Sequence, residues 1–250
     1  KAPLAQLNAE LNNFRAALEF LILRQADTVS GLRLAGALPW MWYFSGQLRE
    51  GLDWLHRALD LPDQDQHLAL RAKALSGAAR LAIYSGDLGA GLKRAEESVE
   101  LWRRTDDRRG LAFGLFHLAI PSITIFGPDR ARVALAESLT CFRELGDAWG
   151  VALAQTYLGA ALAYAPGTEE EARVHLLEGR SRFAALEDDW GLTTSSHYLG
   201  TIALRQGDYA SARELTEEML RISREHVDNY RIARNLHQLA EIACAEEKYE

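Results

Sequence analysis

The stretch Tyr198-Leu-Gly-Thr-Ile-Ala-Leu-Arg-Gln-Gly-Asp-Tyr-Ala-Ser-Ala-Arg213 sets the reading of the whole chain. A helix-forming segment runs into Gly207-Asp208, and a second helix-forming segment follows, opening on small residues. Glycine supplies the left-handed backbone that a reversing chain needs, and aspartate accepts the orphan N–H groups of the helix it precedes. The arrangement recurs at a fixed step. Asp107-Arg-Arg-Gly110, Asp147-Ala-Trp-Gly150, Asp188-Asp-Trp-Gly191 and Asp228-Asn-Tyr-Arg231 stand 40 or 41 residues apart. Leu118, Leu158, Leu199 and Leu239 keep the same step, as do Glu97, Glu137, Glu178 and Glu218. So do the loop glycines Gly46, Gly86, Gly127, Gly167 and Gly207, and the small residues Gly51, Gly91, Ala131, Ala172 and Ala212. Columns sharing one period are the mark of stacked supersecondary units.

Each unit reads as two helices. The first starts after the Asp column and keeps apolar residues at helical spacing, as in Ala152, Ala154, Leu158, Ala161 and Leu162. The second begins past the loop glycine, carries a small residue that lets helix axes approach, and ends on a large anchor: Trp102, Phe142, Phe183 and Ile222. No useful stretch alternates with period two, so no strands are expected. The predicted helices are 4–25, 28–45, 47–60, 68–85, 88–104, 108–126, 129–145, 148–165, 169–186, 190–206, 209–226 and 229–246. Twelve helices paired antiparallel predict an all-α, right-handed α-solenoid, because one hairpin cannot bury its own apolar face but stacked hairpins can. Pro39 and Pro121 fall inside predicted helices and are expected to kink them.

Composition agrees. With 48% hydrophobic and 25% charged residues in 250, the chain is neither disordered nor a disulfide scaffold. A net charge of −7 argues against direct nucleic-acid binding, since such a surface repels phosphate backbones. Cys141 and Cys244 match no metal or redox spacing and fit a reducing, cytoplasmic setting. Leu111–Gly127 is nearly all apolar but short for a bilayer, contains His117 and Pro121, and falls in register with the repeat. It reads as a buried helix, with no membrane partner expected. The start at Lys1, and an end at Glu247-Lys-Tyr-Glu250 where another second helix should open, lead us to expect a piece of a longer protein whose array continues past 250.

The pattern from Tyr198 to Arg213 resembles a tetratricopeptide (TPR) repeat, with Leu-Gly on the first helix, Gly-Asp-Tyr at the turn and Ala on the second. Leu158-Gly159 with Ala172, and Gly86-Asp87 with Gly91, repeat it more loosely. The long step and linkers such as Phe142-Arg-Glu-Leu-Gly-Asp-Ala-Trp-Gly150 resemble the extended arrays of STAND-type signal-transduction ATPases, including LuxR-type and antibiotic-regulator-type transcription factors. Leu7-Asn-Ala-Glu-Leu-Asn-Asn-Phe-Arg-Ala-Ala-Leu18 is similar to the helix that joins the winged-helix part to the array in those proteins. The resemblance implies a joining helix at 1–26, a TPR-like superhelix over 27–250, and a sensor or regulatory role. The chain itself carries no phosphate-binding loop and no helix-turn-helix.

Chemistry is sparse. Gly86-Asp-Leu-Gly89-Ala-Gly91 lacks the phosphate-loop spacing, no His-Glu-x-x-His occurs, and no catalytic set converges. No enzyme, cofactor or metal is expected. In TPR arrays the first helices line the concave face. There the stripe around the Leu118 column offers Arg33, Lys73, Arg80, Tyr84, His117, Tyr157, His197, Tyr198, Arg205, Arg234, His237 and Gln238 as groove residues. Arginines and aromatics are the usual anchors of binding surfaces. The expected partner is a protein, peptide or small effector. The alternative is a scaffold for protein–protein contact or homo-oligomerisation with no effector site.

Overall fold

The computed structural model describes residues 9–62, 66–226 and 228–247 and holds, among them, thirteen α-helices, one π-helical turn and no strand. They divide into two compact units, Lys1–Ile125 and Phe126–Glu250. The first unit carries α1 (Leu11–Leu18) running into the π-turn Glu19–Leu23, α2 (Thr28–Ala35), α3 (Pro39–Phe44), α4 (Leu48–Leu59), α5 (Leu68–Tyr84) and α6 (Leu88–Arg103). It closes with α7 (Arg108–Phe126) at its boundary. The second unit carries α8 (Pro128–Glu144), α9 (Ala148–Ala163), α10 (Glu169–Ala185), α11 (Asp189–Arg205), α12 (Tyr209–Glu225) and α13 (Asn229–Glu247). From α8 onward each helix packs on the next, and α9 also packs on α11.

Thirteen helices replace the twelve expected because predicted helix 28–45 is two helices, not one kinked helix. Pro39 has no N–H to offer the Ala35 carbonyl, which accepts from Leu38 instead, and Pro39 becomes the first residue of α3. Pro121, by contrast, sits inside an unbroken α7. Residues 4–8 of the first predicted helix, which include the Leu7-Asn8 start of the joining-helix match, lie outside the described residues, as do positions 248–250. The first described helix, α1, is held by Arg15, whose guanidinium grips the Glu50 carboxylate on α4 with two 2.7 Å hydrogen bonds.

The columns act as read. Side chains of Asp107, Asp147, Asp188 and Asp228 each accept from the backbone N–H three residues on, capping α7, α9, α11 and α13. All five loop glycines have positive φ, between 72° and 90°. Helix α7 is the one described helix long and apolar enough to cross a membrane, and it buries Leu111, Ala112, Leu115, Phe116 and Ala119 inside the protein.

Repeats meet at an aromatic ring laid on a glycine. Trp102 on α6 covers Gly110 on α7, Phe142 covers Gly150, and Phe183 covers Gly191. A Cβ at Gly110 would stand 2.5 Å from the Trp102 ring, and at the other two glycines it would meet the phenyl ring closer still. The same glycines supply the N–H groups that the capping aspartates bind. Each fully buried ring contributes roughly 1.5–3 kcal/mol. At the first joint the Trp102 Nε1–H also donates to Ser76, which shares a 2.7 Å hydrogen bond with Ser98.

The last joint is built differently. Ile222, expected as its anchor, is only half-buried; the column step lands on Ser223, and the facing glycine has become Arg231. Arg231 is 5% exposed. It donates to the Trp190 carbonyl at 2.8 Å, to the Thr194 hydroxyl at 2.9 Å and to the Thr193 hydroxyl, and pairs with Asp228 at 3.3 Å. Its guanidinium lies 4.7 Å from the Trp190 ring centroid. A long cation folded back along α11 fills the space that a ring fills elsewhere.

The joints can be probed by substitution. Alanine in a helix ordinarily improves on glycine by about 1 kcal/mol, but Gly191→Ala is expected to cost about 1–3 kcal/mol through the ring clash, read as a lower urea midpoint, with F183L relieving the loss. Ser223→Phe and Arg231→Gly should each destabilise alone. Combined, they rebuild the ring-on-glycine joint, so the double variant should lose at least about 1 kcal/mol less than the sum of the singles; strict additivity would contradict the joint as described.

Candidate functional site

Most of the predicted groove residues fall into one set in each unit. In the first, three helices converge on Arg80. Its Nε and Nη2 donate to His117 Nε2 at 3.1 and 3.0 Å, and its guanidinium stacks 3.9 Å from the Trp40 ring centroid. Such a cation–π contact stabilises by about 0.5–2 kcal/mol, depending on desolvation. An arginine only donates, so His117 Nε2 accepts and the ring proton sits on Nδ1. Burial, then the neighbouring Arg80 charge, holds the His117 pKa well below its ordinary value. Tyr84 packs against Tyr43 at 4.4 Å between centroids, and Trp40 stacks on Phe44 at 5.6 Å. Arg33 and Lys73 do not join this cluster. Both are exposed, and the Arg33 charge acts on Asp27, the cap of its own helix.

In the second unit the stripes of α9, α11 and α13 meet. His197 on α11 donates from Nδ1 to Gln238 Oε1 on α13 at 3.0 Å, and the Gln238 amide donates to Thr201 at 3.2 Å. Tyr157 and Tyr198 touch edge to face at 5.9 Å. Burial, then the Arg234 charge, pushes the His197 pKa down to about 3 against the opposing pull of the Gln238 hydrogen bond. Arg205, exposed, donates to the Ala163 carbonyl at the end of α9, next to Tyr164. Arg234 is half-buried, and its charge acts on His197 and Tyr164. His237 stands apart, exposed and 3.7 Å from Glu241 on its own helix.

Sequence reasoning passed over Arg231, the most thoroughly paired arginine of this face. The available signal was its place in a glycine column. The predicted groove set also leaves out Trp40 and Tyr164, although the Arg80 guanidinium stacks on the Trp40 ring. Among the described residues no group of three His, Cys, Asp or Glu side chains is placed to hold a metal ion.

The two neutral histidines set a pH dependence. With folded pKa values below the unfolded 6.5, they stay unprotonated in the native state while the unfolded chain takes up protons. Stability is therefore unaffected above about pH 6.5 and falls as pH drops below it. The urea midpoint should decline from about pH 7 to about pH 5, and His117→Gln and His197→Gln should each flatten that decline; a flat wild-type profile would count against buried neutral imidazoles.

No protein-family model matches the chain. Over 154 residues it is 27% identical to proteins named as HTH-type transcriptional regulators of Mycobacterium bovis and Mycobacterium tuberculosis. The match takes in 58% of this chain and 17% of theirs, so the chain spans less than a fifth of the length of those relatives. Among solved structures, a Rap protein complexed with competence and sporulation factor superposes with a TM-score of 0.68 at 15% identity, over 88% of this chain and 64% of that one. The apo form of RapI gives 0.64 at 14% identity, over 97% and 93%. A STAND protein of Pyrococcus horikoshii with a tetratricopeptide repeat sensor gives 0.63 at 13%, over 98% of this chain and 41% of that one. The chain has the all-α, TPR-like repeat fold that its columns predicted.

Proposed function

We propose that the chain is a non-catalytic sensor or regulatory module of a larger signal-transduction ATPase or transcriptional regulator, holding a protein, peptide or small effector on its first-helix faces. One observation carries the reading: in each unit the first helices gather arginine, histidine and tyrosine into a prearranged face, such as Arg80 fixed between Trp40 and His117. Side chains already immobilised lose little further entropy when a ligand arrives, which favours tight recognition. Support comes from the Rap structure, which holds competence and sporulation factor, and from the regulator names of the sequence relatives. Neither cysteine forms a disulfide among the described residues, which suits a cytoplasmic location.

The test is selection of a displayed random-peptide library on the immobilised chain. Wild type is expected to enrich a peptide set that the triple variant R80A/R205A/R234A no longer holds, with its helical circular dichroism unchanged. Equal capture by the triple variant would remove the first-helix faces from the function, and no enrichment by wild type would remove the peptide-binding reading. Exposed Tyr230 and Leu236 on α13 favour a second reading, a self-associating scaffold. Sedimentation velocity over a concentration series, with L236E as control, separates the two.

A further inference from the structure

Arg231 and Arg234 sit one helical turn apart on α13 and are treated oppositely by the fold. Arg231 is buried with Nη1 and Nη2 donating to Trp190, Thr193 and Thr194, while its Nε makes no hydrogen bond but lies 3.3 Å from the Asp228 carboxylate. Arg234 has no hydrogen bond or ion pair among the described residues, and its Nε and Nη2 carry almost no accessible surface. Two guanidinium nitrogens removed from water without partners are costly even in a half-buried side chain, and native structures keep such groups where something else supplies the acceptor. Its surroundings are mapped by the charges that act on them. Arg234 bears on both His197 and Tyr164; Arg205 and Glu241 also bear on Tyr164. Arg205 is tied to the Ala163 carbonyl beside that tyrosine. The Tyr164 hydroxyl, 49% exposed as a residue, remains a protonated donor.

We propose that Arg234, with Arg205 and the Tyr164 hydroxyl, forms a carboxylate-binding site on the α9–α11–α13 face of the second unit. The inference rests on the binding-module reading and specifies its ligand chemistry. Charge selects the anion. Two guanidinium groups against Glu241, with His197 and Tyr164 neutral, leave a local excess of one positive charge in a chain of net charge −7. One carboxylate balances that excess, whereas a phosphate dianion would overshoot it beside Glu241. The planar fork of arginine fits a carboxylate through two parallel hydrogen bonds.

The carboxylate could be a peptide C-terminus or an acidic side chain, and three probes separate these: acetyl-Ala-Ala-Ala with a free carboxylate, acetyl-Ala-Glu-Ala-amide and acetyl-Ala-Ala-Ala-amide. Each is titrated at constant ionic strength while the Arg Nε–H NMR signals are followed, the Arg234 signal being the one missing from R234M. That signal is expected to move and saturate with one or both carboxylate peptides and to stay still with the amide. Affinity should fall at least tenfold in R234M and in R205M. In probe-free buffer R234M should melt at the same or a higher temperature than wild type, since it removes an unpartnered cation; R234M thus reports binding and not a failure to fold. Equal shifts with the amide peptide or with inorganic phosphate, undiminished affinity in R234M, or a lower melting temperature of R234M would each overturn the site. If library peptides are captured through Arg80 with no dependence on a carboxylate, this inference falls and the module reading stands; if no peptide is captured at all, the reading beneath it falls.

Discussion

The structure depends on a ring pressed against a helix where no side chain stands. Phe142 on Gly150 and Phe183 on Gly191 bring the second helix of one repeat into contact with the first turn of the next, at a distance that any Cβ would forbid. The glycine is tolerated there because it lies in the first turn, where its N–H is claimed by the capping aspartate and its own backbone entropy loss is offset by the buried ring. Capping and packing thereby fall on the same four residues, Asp-x-x-Gly, and the spacing of that tetrad sets the repeat step. A helix pair too short to bury its own face gains a core only through such joints.

Where the joint departs from this plan, the chemistry of the nearby surface changes with it. With Ser223 in place of the ring, the space is taken by Arg231, which needs hydroxyls from α11 to satisfy its donors. Thr193 and Thr194 supply them. The polar character continues along the stripe through His197, Thr201 and Gln238 to Arg205 and Arg234. In the first unit the corresponding face is built from aromatic rings around one arginine. In both units the histidine stays neutral and serves as a fixed dipole, His117 accepting from Arg80 and His197 donating to Gln238. Excluding the imidazolium keeps the arginines as the strong cations of each face.

Much of this was legible in the primary structure for a simple reason: caps, left-handed turns and helical periodicity are local, and a residue type serves each nearly alone. Asp147 must cap and Gly207 must turn whatever packs around them. Pro39 was read as a kink and became a break because Gly36, Ala37 and Leu38 close the preceding helix with their own short-range hydrogen bonds, leaving no carbonyl ladder to resume. Ile222 was read as an anchor because it is apolar; the column position belongs to Ser223, and only the bulk of Arg231 opposite explains why no large residue is needed there.

Sequence by itself determined the helix pairs, their forty-residue step and the faces on which arginine, histidine and tyrosine would appear, since each follows from contacts within a few residues along the chain. Tertiary structure alone decided which of those side chains are spent on the fold and which are left to meet a ligand. Arg231 and Arg234 are the same residue type one turn apart, and along the chain Arg231 gains only an Asp228 carboxylate 3.3 Å from its Nε. What separates them is acceptors on another helix, about forty residues away, that reach one guanidinium and not the other.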